Sequence, residues 1–185
     1  MRPKASLLVA LVLMGSALTA STRLPLIAFD TVEPITQSRR TEQSQRALLE
    51  GIAAWLAIEF DLPATKRVPT LRAVAPTEMA ALRYHGLAPT GSDADDLLAL
   101  YERSQRTIYL PVGWRGATPA EVSILVHEMV HYLQELAGHA YECVEDRERL
   151  AYRAQDRWLV LAGSSLEIEF GVDAFTVLAR STCLH

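Results

Sequence analysis

Between Thr41 and Phe60 the apolar residues Leu48, Ile52, Trp55, Leu56 and Phe60 recur at helical spacing, which predicts an amphipathic helix ended by Asp61 and Pro63. Val68 to Ala75 reads as a strand, and Thr77 to Tyr84 as a short helix stopped before Gly86. Leu97 to Tyr101 and Arg106 to Leu110 are apolar runs separated by polar residues, the pattern of a β-hairpin. The clearest helix follows. Thr118, Pro119 and Glu121 form a capping box with proline at the first helical position, Val122, Leu125, Met129, Leu133 and Leu136 make a core stripe, and Gly138 supplies a left-handed stop. From Val144 to Ala162 the residues Val144, Glu148, Ala151, Tyr152, Gln155, Leu159 and Ala162 share one helical face. Gly163 to Phe170 is ambiguous, because Leu166, Ile168 and Phe170 alternate like a strand yet could prolong the helix. Asp173 caps a last helix, Ala174 to Arg180. The sum is an α+β fold, mainly helical, with a small antiparallel sheet or hairpin ahead of the capped helix, in a single domain over residues 41–185.

The start of the chain has a different pattern. Arg2 and Lys4 precede an apolar run from Leu7 to Leu13 and then the small residues Gly15, Ser16, Ala17 and Ala20, as in a secretory signal peptide over residues 1–20, cut after Ala17 or Ala20. The apolar run is too short for a membrane span, so no stable membrane insertion is expected after cleavage. Residues 21–40, with Pro25 and Pro34, read as an extended arm or a linker. Losing Arg2 and Lys4 with the leader would take the formal charge from -4 to about -6, an acidic balance that argues against a nucleic-acid partner. Asp93, Asp95 and Asp96 lack the glycine and terminal glutamate of a calcium loop and read as a solvated turn. Cys143 and Cys183 are the only cysteines, and in an exported chain, periplasmic or secreted, they are expected to form one disulfide.

The chemistry sits on the capped helix. His127, Glu128 and His131 form an H-E-x-x-H string. Four residues of helix advance about 6 Å and bring both imidazoles to one face, where they can grip one metal ion while Glu128 reaches a water upon it. Ala120, Ser123, His127, His131 and Gln134 project away from the core stripe, so the histidines are expected to look into a cleft. A hydrolytic zinc site takes three protein ligands and leaves one position open. Glu148 is the first candidate for the third, because a carboxylate within a burying stripe is expensive unless paired or bound to a cation. Glu145 is the second candidate, with Glu142 and Asp146 behind it.

On these residues the chain resembles the gluzincin-type zinc metallopeptidases, in which HExxH on one helix is completed by a glutamate on the next, often within E-x-x-A. Glu148-Arg-Leu-Ala151 matches that element, and the stretch from Leu97 to Cys183 is similar to a small exported bacterial family of unknown function. The resemblance implies one Zn2+ per chain on His127, His131 and Glu148, Glu128 as the general base, a peptide or protein substrate, and an edge strand before the helix that pairs with substrate backbone. Where larger gluzincins carry a histidine-orienting aspartate, four residues after the glutamate ligand, this chain has Tyr152. Tyr152, His139 and Tyr141 are the candidates for orienting a ligand or steadying the oxyanion, and Tyr109 lies either near the cleft or in the core. The alternatives are a non-catalytic exported module that keeps zinc for stability or partner binding, and a zinc hydrolase acting on cell-wall material.

Overall fold

The computed structural model describes residues 33–86 and 97–183, the first eight of them as backbone only. The elements run α1 (Glu33–Phe60), β1 (Thr70–Val74), α2 (Pro76–Arg83), β2 (Leu100–Glu102), β3 (Thr107–Pro111), α3 (Pro119–Ala137), α4 (Glu148–Leu161), α5 (Leu166–Phe170) and α6 (Ala174–Arg180). The α+β class, mainly helical, is as the pattern predicts. The leader and the Asp93–Asp96 cluster lie outside the described residues.

The helix α3 is central because its sequence lets it bury on every side. Leu125, Val126, Met129, Val130 and Leu133 are fully buried, and with Leu49, Ile52, Ala53 and Leu56 of α1, Ile108 and Leu110 of β3, and Ala151 and Ala154 of α4 they form the main core. Burying each of the larger side chains contributes roughly 1.5–3 kcal/mol. Trp55 of α1 meets Trp158 of α4 edge to face at 5.2 Å, which closes the helical layer. The alternation of β3 then builds a second, smaller core: Tyr109 points to the opposite face of the sheet and packs with Val74 and Met79 under α2. Tyr109 is therefore a core residue.

Four expectations are corrected. Helix α1 starts at Glu33, not at Thr41, so the final eight residues of the expected extended arm are helical; Pro34 falls in the first turn, where a missing N–H costs nothing. The sheet is mixed and three-stranded, order β1-β3-β2: the hairpin β2–β3 is antiparallel with Tyr101 opposite Ile108, but β1 joins β3 in parallel, Leu71 beside Ile108. Helix α4 starts at Glu148, because residues 144–147 form a turn whose carbonyl at Glu145 accepts from Glu148 N–H at 2.9 Å. The ambiguous stretch becomes a separate short helix, α5, between the Ser165 side-chain cap and a left-handed Gly171.

The predicted capping box of α3 is present in both directions, and Gly138 ends the helix at φ 67°. Cys143 and Cys183 form the expected disulfide, which ties the loop before α4 to the segment after α6. No helix among the described residues is long and apolar enough to cross a membrane.

Candidate metal centre

The packing of α3 on α4 decides where the polar residues go. The face of α3 opposite its apolar stripe does not look straight into solvent: Ser123, His131 and Gln134 are buried against α4, and His127 is half-buried. Facing them, the first residue of α4 is Glu148, whose carboxylate lies at the positive end of that helix. Its Oε2 stands 3.0 Å from His127 Nε2 and 3.2 Å from His131 Nε2. The ligand atoms of His127, His131 and Glu148 all fall within 4.8 Å of one another, the one such His/Cys/Asp/Glu group among the described residues.

The far sides of the rings are held by two glutamines. Gln134 Oε1 lies 3.1 Å from His131 Nδ1, and Gln155 Oε1 lies 3.0 Å from His127 Nδ1. Each amide is itself oriented: Gln134 Nε2 donates to the Arg147 carbonyl at 2.9 Å, and Gln155 Nε2 to Ser123 Oγ at 3.4 Å, while Ser123 donates onward to the Ala120 carbonyl. A carbonyl oxygen only accepts, so each Nδ1 carries the proton. In a neutral imidazole the other nitrogen, Nε2, then presents a bare lone pair. Two lone pairs and a carboxylate oxygen thus converge, and only a cation, either a proton or a metal, reconciles them.

The electrostatics show the same tension. Burial alone would lower the pKa of His127, but the Glu148 carboxylate at Nε2, the charge of Glu128 and the Gln155 contact outweigh it and raise it. Burial alone would raise Glu148, yet its contacts with the two histidines and their charges hold it far below the usual carboxylate range. Arg147 Nε, 3.3 Å from Glu148 Oε1, fixes the second carboxylate oxygen and leaves Oε2 for the histidines.

Glu128 is buried at one edge of this cluster and borders a cleft of about 520 Å³. Its Oε2 accepts the Tyr101 backbone N–H at 2.8 Å. Tyr101 is anchored at its other end too, donating from its hydroxyl to Glu135 Oε2 at 2.8 Å. Strand β2 is consequently pinned across α3 with Leu97 to Tyr101 along the cleft. Helices α3 and α4 line the cleft with His127, His131, Glu148, Tyr152 and Gln155, and the α5–α6 segment lines it with Leu166, Phe170, Val172 and Arg180.

The remaining candidates separate. Tyr152 lines the cleft with its ring edge-on to His127 at 4.9 Å, but its hydroxyl meets Arg180, not a histidine. His139 and Tyr141 instead border a smaller cavity of about 170 Å³ on the far side of His131, where burial raises the Tyr141 pKa and its hydroxyl is buried with no partner among the described residues. Glu145 borders the cleft but is exposed and outside the cluster; Glu142 is exposed, and Asp146 faces Arg149 at 3.8 Å. Gln134 and Gln155 stand on the predicted faces, but the pattern alone does not disclose that they orient the histidines. The available signal is position: Gln134 is one turn after His131, and Gln155 two turns after Glu148 on the same face.

No curated protein and no solved structure matches the chain. A family profile described as a domain of unknown function, DUF6647, matches residues 41–185, and the chain belongs to that family.

Proposed function

We propose that the chain is an exported zinc-dependent hydrolase that cuts peptide bonds, with His127, His131 and Glu148 as ligands and Glu128 as the proton carrier. The observation that carries this reading is the convergence of both Nε2 atoms on Glu148 Oε2 while both Nδ1 atoms are engaged by glutamine carbonyl oxygens. The donor set fits zinc. Two imidazoles and one carboxylate are a known hydrolytic set, and donors around a tetrahedral ion stand roughly 3.3–3.5 Å apart, a few tenths beyond the separations here. When bound, zinc would supply a Lewis acid that polarises a carbonyl and makes water acidic near neutral pH.

The chain's own groups supply the rest. Tyr101 N–H holds one oxygen of Glu128; the other meets no donor among the described residues and is available to take a proton from water and return it to the leaving amine. Gln134 and Gln155 keep the histidines in the ligating tautomer. Strand β2 is an edge strand of the sheet among the described residues and borders the cleft, so an extended peptide can pair with it, which favours a peptide over other amides or esters. The disulfide and the leader-like start of the chain support export.

Glu128→Gln keeps the ligands and removes the base. It should retain one zinc per chain and lose about 100-fold or more of the turnover of an unstructured protein such as casein. Turnover equal to the parent's would remove Glu128 from the mechanism.

A further inference from the structure

Helices α5 and α6 contribute little to the core: α5 buries only Leu166, and α6 buries nothing. The segment is nonetheless tied down at separate points. Leu166 N–H donates to Asp156 Oδ1 at 3.0 Å, Arg149 Nη2 donates to the Ser181 carbonyl at 3.4 Å, and the disulfide fixes Cys183 to Cys143. Two of these ties, at Ser181 and Cys183, follow directly on the end of α6, and what that end brings to the cleft is Arg180.

Arg180 Nη1 donates to Tyr152 Oη at 3.3 Å. Tyr152 sits one turn after Glu148 on α4, edge-on to His127, and lines the cleft. An arginine only donates, so it occupies a lone pair of the phenol and leaves the phenolic proton to be given elsewhere; among the described residues nothing accepts it. A hydroxyl that receives a charge-assisted bond is also the better donor.

We propose that Arg180 is a positioning residue that holds the Tyr152 hydroxyl so that its O–H donates a hydrogen bond to the carbonyl oxygen of the bond being cut, where negative charge develops. The inference rests on the hydrolase reading above. It gives the disulfide a purpose beyond stability, because the bridge anchors the end of α6 that carries Arg180. No proton leaves Tyr152; the hydrogen bond strengthens as the oxygen gains charge.

The test uses the full zinc-loaded protein and two dipeptide inhibitors of the same sequence. One is capped by a phosphonate, whose second oxygen stands where the charge develops, and one by a thiol, which has no such oxygen. Arg180→Gln should weaken the phosphonate about tenfold and leave the thiol within about twofold, and Arg180→Lys should restore part of the loss. Tyr152→Phe should weaken the phosphonate at least as much, with no further loss in the double variant. Equal weakening of both inhibitors would make Arg180 part of the cleft wall only, and no weakening of either would overturn the role outright. A parent that takes up zinc but binds neither inhibitor would remove the hydrolase reading itself, and this role with it.

Discussion

The α3–α4 face and the α5–α6 wall border the same cleft and are held in opposite ways. The first is fixed by continuous burial, with fully buried side chains along α3 and both histidine Nδ1 atoms engaged by glutamine carbonyl oxygens. The second leaves Ile168, Phe175 and Leu178 exposed and is held by a few point contacts and one disulfide. The difference assigns separate tasks. The buried face fixes the geometry of the His127, His131 and Glu148 cluster, and the tied wall can vary its side chains without endangering the fold.

The largest contrast should appear in stability. Leu125 is fully buried, so Leu125→Ala should cost about 2–5 kcal/mol in denaturant unfolding, whereas Phe175→Ala, 75 % exposed on α6, should stay within about 0.5 kcal/mol. Comparable losses would mean that the wall carries more of the fold than its exposure indicates. A smaller effect is expected one step out from the ligands: Gln134→Leu frees His131 Nδ1 and should weaken zinc binding about 10–100-fold with the fold retained. Unchanged affinity would strip the glutamine of its orienting role.

The smallest effect is one of pH on the metal-free chain. His127 is raised, so its contribution to stability is full below the unfolded value near 6.5 and is lost as pH rises through the folded value. Glu148 is depressed, so its contribution is present above the unfolded value near 4.5 and is lost only as pH falls. With a chelator present, the melting temperature should therefore fall from pH 6 to pH 8, and His127→Gln should flatten that fall. A rise over the same interval in the parent would contradict the direction assigned to His127.

Legibility in the sequence follows the range of the interactions. The capping box at Thr118 and Glu121, the stop at Gly138, the Asp173 cap and the His127–His131 pair are all set within a turn or two of chain, and each is readable there. Glu148 stands out by an anomaly, a carboxylate in a burying stripe, although it opens α4 instead of lying mid-helix. The parallel pairing of β1 with β3 joins segments more than thirty residues apart, and no local pattern encodes it. The same holds for Tyr101 N–H on Glu128, a backbone contact that no side-chain identity reveals. Arg180 escapes a reading of the sequence because its place beside Tyr152 depends on the final turn being brought back to α4 by the disulfide.

The most direct measurement is the metal content and metal affinity of the purified chain beside its His131→Ala and Glu148→Ala variants. One zinc per parent chain is expected, bound with release of protons as pH approaches 7, and both variants should lose it while remaining folded by circular dichroism. A parent that binds no divalent ion under these conditions, or variants that bind it as tightly as the parent, would contradict the assignment of His127, His131 and Glu148 as a metal centre.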